Sequence, residues 1–252
     1  MTTNDQTADR PQERPVLEVA DLQVAYGDLV AVWGASLHLV PGRITALVGR
    51  NGAGKTTLLS GICGLLPARS GRVVLDGRDV TGLPPHRRVR LGMAVVQEGK
   101  QVFRDLTVHD NLRVGLRGRR SRRGGDDAAI LEELYERFPV LGERRRQRAG
   151  ALSGGQQQML AIATALAARP RVLLVDEPSS GLAPVITDQV FELLERLRDE
   201  GLAILLVEQL VDELLDGIAE DVVVLERGRV TLRERAANLT AETIAESIYS
   251  SI

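Results

Sequence analysis

A glycine-rich stretch of the chain could bind a polyphosphate. Residues 49–56 read GRNGAGKT, which fits the pattern G-x-x-x-x-G-K-[ST]. The glycines of this pattern let backbone N–H groups turn toward phosphate oxygens, and Lys55 adds a cation for the β- and γ-phosphates. The hydroxyl of Thr56 is a suitable ligand for Mg²⁺, which prefers oxygen donors. We therefore predict a nucleotide site formed by Gly49, Arg50, Asn51, Gly52, Ala53, Gly54, Lys55, Thr56 and Thr57.

Two acids, Asp176 and Glu177, follow the apolar run VLLV much later in the chain. Asp176 is suited to hold Mg²⁺ through water, and Glu177 to polarise a water that attacks the γ-phosphate. Acids also end strands at ordinary protein surfaces, so this interpretation depends on the phosphate loop upstream. The two motifs together predict nucleotide hydrolysis, with Lys55 and Glu177 as catalytic residues.

The stretch ALSGGQQQMLAIATALAARP carries a third signal. Ser153 and Gln156 have the spacing of a capping box, and two glycines between them expose the backbone at the helix start. An ordinary capped helix would have the same pattern.

Apolar patterns predict the elements that position these residues. The phosphate loop lies between the strand-like run ITALV and a helical pattern that begins after Lys55, which is the context that such a loop requires. Short β-like runs between Val16 and Val48 are separated by turn residues, which predicts a further sheet. The segment from about Pro84 to Ala168 is mainly helical in pattern and is interpreted as an inserted lobe.

Strand and helix patterns alternate from Arg171 onward. The alternating segments are VLLV, VITDQVFELLERLRDEG, AILLV, LVDELLDGIAE and DVVVLERGRV. Such alternation predicts a mostly parallel, helix-covered sheet that binds ligands at the carboxyl ends of its strands.

Composition limits the possible functions. The chain has 252 residues, 44% hydrophobic and 26% charged, which fits one large domain or one domain with an inserted lobe. A formal charge of -2 provides no overall field to attract nucleic acid, so we expect no nucleic-acid partner. The single cysteine, Cys63, excludes an internal disulfide, and a buried, inert thiol is favoured over a redox role.

No targeting or membrane-spanning segment is predicted. The first fifteen residues have neither an apolar stretch nor a basic start, so they are predicted to be a disordered tail. No run approaches the roughly 18 to 20 apolar residues that cross a bilayer. Any membrane role would therefore depend on a partner.

In this order, the phosphate loop, the motif Leu152–Gln156 and the strand that ends in Asp176-Glu177 resemble the ATP-binding cassette (ABC) ATPases. The resemblance covers about residues 16 to 235. It implies an α/β fold, a P-loop NTPase ABC cassette with a mixed core sheet, an antiparallel β subdomain and an inserted helical subdomain. It implies this division: a tail at 1–15, the ATPase domain at 16–240 with its helical lobe at about 84–168, and a C-terminal extension at 241–252.

The resemblance also implies ATP with Mg²⁺ and a head-to-tail pair of cassettes. Each cassette would offer Ser153, Gly154, Gly155 and Gln156 to the nucleotide that the other holds. Tyr26 matches the aromatic residue that stacks on adenine in the family, and an ordinary strand tyrosine is the alternative interpretation.

Four segments narrow the resemblance to one group of transporters. VVQEGKQVFRDLTVHDNL, RRRQRAGALSGGQQQMLAIATAL, DEPSSGLAP and LLVEQ resemble the smaller ATPase subunits of branched-chain amino acid importers, and nearly as much those of urea and amide importers. This implies a peripheral subunit at the cytoplasmic face of the bacterial inner membrane. Its partners would be a second cassette, identical or different, two transmembrane permease subunits and, indirectly, an extracytoplasmic solute-binding protein.

Two other functions remain as alternatives. A soluble ABC ATPase that acts on DNA or ribosomes would carry a long coiled coil or two fused cassettes, and neither pattern is present. An ATP-gated scaffold with weak hydrolysis is the second alternative, since the chain departs from the family pattern at Gln209 and Ala183.

The chain also departs from the family pattern where the core meets the helical lobe, at a position that contacts Mg²⁺. Most of the family has a glutamine there that contacts Mg²⁺ and the membrane subunit. Counting back from Thr107 places Glu98 at this position, with Gln97 one residue earlier, so both are candidate metal contacts. Ala183 stands where many relatives have an aspartate that contacts the opposite cassette.

Gln209 stands where most of the family has a histidine that hydrogen-bonds the γ-phosphate. A glutamine donates a hydrogen bond but does not titrate, so it could stabilise phosphate charge without carrying a proton. We assign Gln209 a catalytic role on this resemblance. The alternative is that Gln209 only caps the following helix.

Overall fold

A computed structural model describes residues 14–119 and 127–249, in which the strands form two sheets. The antiparallel sheet has the order β2-β1-β4-β5, with β1 at Leu17–Tyr26, β2 at Leu29–Leu39, β4 at Ala68–Leu75 and β5 at Arg78–Asp79. The core sheet has the order β10-β9-β3-β8-β7-β6, with β3 at Arg43–Val48, β6 at Met93–Val96, β7 at Val172–Asp176, β8 at Ala203–Val207, β9 at Asp221–Glu226 and β10 at Arg229–Arg235. Among the described strands of the core sheet, β10 alone pairs antiparallel.

Helices surround the core sheet. They are α1 at Lys55–Cys63, α2 at Pro85–Arg90, α3 at Val108–Leu116, α4 at Asp127–Arg137, α5 at Pro139–Gly142, α6 at Gly154–Leu166, α7 at Pro184–Asp199, α8 at Val211–Glu213 and α9 at Ala241–Tyr249. Short 3-10 turns cover Ala149–Ala151 and Ala236–Asn238. The predicted α/β fold with a mixed core sheet and an antiparallel sheet is confirmed.

The core sheet is buried on both faces because its central strands are continuous apolar runs. Every residue of β7 and β8 is buried, as is typical of parallel strands that are covered on both sides. Alternate residues enter two cores. Leu173 and Ile204 pack with the helices α3, α4, α6 and α7, whereas Leu174 and Leu205 pack with α1 and the antiparallel sheet.

Parallel pairing brings the predicted functional residues to one edge of the core sheet. β8 pairs parallel with both β3 and β7, so the carboxyl ends of the three strands meet there. The phosphate loop follows β3, Asp176 ends β7, and Glu208 and Gln209 follow β8. Motifs that lie far apart in the sequence thereby become neighbours.

The expectation of a mainly helical segment at 84–168 needs one correction. Met93–Val96 forms β6, an edge strand that pairs parallel with β7. Four residues are too few to reveal a strand by periodicity, so the available backbone of β7 decides the conformation of this segment.

Two further corrections concern the C-terminal half. DVVVLERGRV contains a hairpin rather than one strand, because Arg227 and Gly228 have positive φ angles of 47° and 77° and turn the chain between β9 and β10. The helix predicted for LVDELLDGIAE is regular only in α8. It continues as an irregular turn at Leu214–Ile218, where Gly217 has a φ of 116°.

Parts of the predicted division lie outside the described residues, namely 1–13 of the tail and 250–252 of the C-terminal extension. The described part of the extension forms α9, whose Ile244 is buried in the core. The division into an ATPase domain, a helical lobe and an extension stays a prediction. Within residues 14–119 and 127–249, no helix combines the length and apolarity that crossing a membrane requires.

A buried guanidinium fixes the far end of α1. Arg88 is 2% exposed, and its Nη1 donates to the carbonyl oxygens of Gly61 at 2.9 Å and Ile62 at 2.5 Å. It thereby adds a donor to carbonyls in the last turn of the helix, of which that of Gly61 also accepts the Gly64 N–H at 3.1 Å. Burial raises the pKa of the neighbouring Cys63 thiol to about 12, so this thiol is protonated at neutral pH and unreactive, as the sequence predicts.

Candidate functional site

Two glycines allow the phosphate loop to bend tightly between β3 and α1. A Cβ atom on Gly49 would lie 2.2 Å from the carbonyl oxygen of Leu225, and one on Gly54 would lie 2.9 Å from that of Ala31. Gly54 also has a φ of 105° and occupies the position just before α1. These positions therefore require glycine, because a side chain would collide with the backbone of β9 or β2.

The Lys55 side chain lies at the centre of the loop. Lys55 is 5% exposed, and its Nζ donates to the carbonyl oxygen of Gly49 at 2.9 Å. The same Nζ lies 3.5 Å from Oε1 of Glu177. The loop thus holds an ammonium group between the phosphate-binding backbone and the predicted water-polarising acid.

An open cavity of about 540 Å³ lies beside this ammonium group. This volume suits a small-molecule ligand. Its lining comprises Ala31, Asn51, Gly52, Gly54, Lys55, Thr56, Thr57, Glu98, Glu177, Ser180 and Gln209. The cavity therefore brings together three regions of the chain that the sequence assigns to one site: the phosphate loop, the end of β7 and the end of β8.

The residues predicted to hold Mg²⁺ fit such an ion. Asp176 is 2% exposed, and its Oδ1 has no hydrogen-bond partner among the described residues. Burial raises the pKa of Asp176, a hydrogen bond with Thr56 opposes this rise, and the charges of Glu177 and Glu98 add to it. A buried carboxylate with a free oxygen beside a hydroxyl matches the oxygen donors that Mg²⁺ prefers, and the cation would relieve the repulsion between the carboxylates.

The described residues contain no group of three or more His, Cys, Asp and Glu side chains placed to hold a metal by themselves. This agrees with the usual binding of Mg²⁺ in phosphate sites, where one or two carboxylates, waters and the phosphates supply the ligands.

Glu98 and Gln97 differ in position. Glu98 is exposed and lines the cavity, and its charge is close enough to raise the pKa of Asp176. Gln97 is half-buried and does not line the cavity. The geometry favours Glu98 over Gln97 as the residue that faces the ion, and the role itself stays a prediction.

Gln209 lies against Glu177. Its Nε2 donates a hydrogen bond to Oε2 of Glu177 at 2.9 Å. The residue before α8 is Leu210, and no side chain of the described residues caps this helix, so the alternative in which Gln209 serves as a helix cap is wrong. Glu177 itself has a φ of 43°, a backbone strain that is common at functional sites.

The predicted capping box at the start of α6 is confirmed. The Gln156 N–H donates to Ser153 Oγ at 3.3 Å, and the Ser153 N–H donates to Gln156 Oε1 at 3.0 Å. None of the residues Ser153, Gly154, Gly155 and Gln156 lines the cavity. Within one chain, these residues are thus separate from the phosphate loop.

Tyr26 lies near the phosphate loop with its ring available to a ligand. It is 53% exposed, and its hydroxyl lies 3.5 Å from Thr57 Oγ1. This position is compatible with stacking on a base bound beside α1, which stays a prediction.

Sequence reasoning missed three residues in or beside the cavity. Ala31 and Ser180 line the cavity, and Glu208 is buried behind Gln209. Glu208 carried a usable signal, because it is an acid at the end of a fully apolar strand, as Asp176 is. Ala31 and Ser180 carried none, since small residues in a strand or a loop are common.

Comparisons with known proteins agree with this geometry. The sequence model of the ABC transporter family matches residues 32–180. The high-affinity branched-chain amino acid transport ATP-binding protein BraG of Pseudomonas aeruginosa is 43% identical over 225 residues, which cover 89% of this chain and 94% of that protein. The lipopolysaccharide export system ATP-binding protein LptB of Escherichia coli is 32% identical over 234 residues, which cover 92% of this chain and 96% of that protein.

A solved structure described as an ATP-binding cassette of an ABC transporter superposes with a TM-score of 0.81 at 26% identity, covering 93% of this chain and 98% of that chain. The resemblance inferred from the motifs is thereby confirmed. Because the family match spans more than half of the chain and the relatives match nearly all of it, the chain belongs to the ABC transporter family, as an ATP-binding subunit whose ATP hydrolysis is coupled to transport.

Proposed function

We propose that this subunit powers the import of branched-chain amino acids or a similar small polar solute. The observation that carries the proposal is the 43% identity, over 89% of the chain, to a protein named for branched-chain amino acid transport. The match to LptB is more distant, at 32% identity. The hydrogen bond between Gln209 and Glu177 supports an active site rather than a scaffold with weak hydrolysis.

The cavity suggests how each residue contributes to ATP hydrolysis. The phosphate loop and Lys55 bind the phosphates, and Tyr26 stacks on the adenine. Thr56 and Asp176 would hold Mg²⁺, with Glu98 facing it, and the chemistry that the ion would supply is neutralisation of phosphate charge. Glu177 polarises the attacking water and accepts its proton, while Gln209 orients the Glu177 carboxylate.

The proposed assembly contains a second cassette, two permease subunits and an extracytoplasmic solute-binding protein at the cytoplasmic face of the membrane. The separation of Ser153 from the cavity within one chain supports a paired arrangement, in which Ser153, Gly154, Gly155 and Gln156 contact the nucleotide of the other cassette. The capping box uses the N–H groups of Ser153 and Gln156, which leaves those of Gly154 and Gly155 at the helix start to bind such an anion.

Solute uptake tests this function. Cells that lack the gene are expected to lose uptake of labelled leucine and to keep uptake of labelled urea, which serves as the matched control. The wild-type gene should restore leucine uptake, and a gene that carries Lys55→Ala should not. Loss of urea uptake with leucine uptake unchanged would assign the chain to the urea and amide importers instead.

Gln209→Ala is expected to lower ATP turnover by about 10²-fold, the scale for misplacement of a catalytic group, with little change in ATP affinity. The reason is that Glu177 loses the amide that orients its carboxylate. Gln209→His should stay active and gain a pH dependence near the roughly 6.5 at which imidazole titrates. ATPase rates against pH at saturating ATP measure both effects, and equal rates for Gln209→Ala and wild type would contradict the catalytic role.

A further inference from the structure

One buried carboxylate bridges the two segments that carry Glu177 and Gln209. Glu208 is 2% exposed. Its Oε1 accepts the backbone N–H of Ser179 at 3.0 Å, and its Oε2 accepts the backbone N–H of Gln209 at 3.1 Å. Each oxygen of a single side chain thus binds the backbone of a different catalytic segment.

The two segments need such a bridge because sheet pairing ends just before them. The last pair of the β7–β8 ladder joins Asp176 to Val207, and the Glu177 N–H donates to the Val207 carbonyl at 2.9 Å. After that point the positive φ of Glu177 turns its segment out of the ladder. In the described part of the chain, no further bond of the β7–β8 ladder fixes the spacing between Glu177 and Gln209.

We propose that Glu208 is a positioning residue for ATP hydrolysis, whose carboxylate holds the Glu177 and Gln209 segments at the spacing that their side-chain hydrogen bond requires. This inference rests on the catalytic roles proposed above for Glu177 and Gln209. The 2.9 Å contact between Gln209 Nε2 and Glu177 Oε2 is the geometry that the bridge preserves.

If Glu208 had only a structural role, an acidic side chain would be unfavourable at this buried position. Burial raises the pKa of Glu208, the hydrogen bonds from Ser179 and Gln209 oppose the rise, and the charge of Glu177 adds to it. A neutral side chain would avoid the cost of burying a charge. Only a carboxylate, however, offers two equivalent acceptor oxygens to two N–H donors at once.

Glu208→Gln tests the bridge, because the amide keeps the size of the side chain but replaces one acceptor oxygen with a donor group. We expect kcat of the full chain to fall about ten- to hundredfold, the scale of a small misplacement of catalytic groups. The KM for ATP should change by less than about twofold, since the phosphate loop is untouched. Glu213→Gln is the matched control, because it makes the same change at an exposed acid on α8.

A double-mutant cycle separates positioning from general stability. In the Gln209→Ala background there is no side-chain hydrogen bond left to align, so Glu208→Gln should cost less than about threefold in kcat. Thermal unfolding of each variant shows whether the protein is folded at the assay temperature. If Glu208→Gln does not fold, Glu208→Asp replaces it in the experiment. Aspartate keeps the charge but is too short to reach both N–H groups, so the same fall in kcat with little change in KM is expected.

Three outcomes would overturn the role of Glu208: a kcat equal to that of Glu213→Gln, a raised KM with kcat unchanged, or an equal loss in both backgrounds. Lys55→Ala measured in parallel distinguishes this failure from failure of the site. If Lys55→Ala is active, the assignment of the ATP site is wrong. If Lys55→Ala is inactive and Glu208→Gln has normal activity, only the positioning role of Glu208 is wrong.

Discussion

Glu177→Gln is expected to lower ATP hydrolysis by about 10³-fold, within the range for loss of a general base, while ATP binding stays intact. The substitution keeps the size of the side chain and removes the charge that would accept a proton from water. The Lys55 ammonium, 3.5 Å from Glu177, stays in the loop to bind phosphate. Bound ATP should therefore persist instead of being consumed.

A direct ATPase assay measures the loss of hydrolysis. Gel filtration with ATP and Mg²⁺ measures its consequence, the persistence of the ATP-loaded state. If ATP closes a pair of cassettes and hydrolysis reopens it, Glu177→Gln should accumulate as an ATP-loaded dimer and wild type should not. Glu192→Gln, at an exposed acid on α7, is the matched control. Equal dimer fractions in wild type and Glu177→Gln would argue against Glu177 as the water-polarising group.

Lys55→Ala should weaken ATP binding and lower kcat/KM by about 10³-fold, because it removes a preorganised cation from the phosphates. The fold should persist, because the Lys55 ammonium lies beside an open cavity from which water can solvate its partners, the carbonyls of Gly49 and Arg50 and the Glu177 carboxylate. A fluorescent ATP analogue measures the affinity, and thermal unfolding verifies the fold.

Arg78→Ala is the control for this experiment, because it removes an exposed cation on β5 in the antiparallel sheet. It should bind ATP as wild type does. Unchanged ATPase activity of Lys55→Ala would show that the phosphate loop is not where ATP is hydrolysed.

Strong local patterns predicted most of the fold. β3, β7 and β8 are runs of apolar residues, and α1 begins at the lysine of the loop pattern, so each was evident within a few residues of sequence. The errors fell where local signals are weak. Met93–Val96 is too short to show a period, and Gly217 interrupts a segment whose apolar spacing is otherwise helical.

The sequence by itself determined the chemistry of the phosphate loop and the start of α6. Gly49, Gly54, Lys55 and Thr56 belong to one continuous segment, so their relative positions follow from their order along the chain. The capping box of Ser153 is likewise a contact between residues three positions apart. Such local geometry does not depend on the rest of the protein.

Only the tertiary structure decided how the distant segments meet. Gln209 contacts Glu177 because β7 and β8 pair in one register, and a shift of one residue would turn the side chains to opposite faces of the sheet. Glu98 lines the cavity and Gln97 does not, because the course of the chain after β6 decides which of these two adjacent loop residues lies beside the phosphate loop. These contacts depend on pairing and packing between residues far apart in sequence, so no pattern within either segment specifies them.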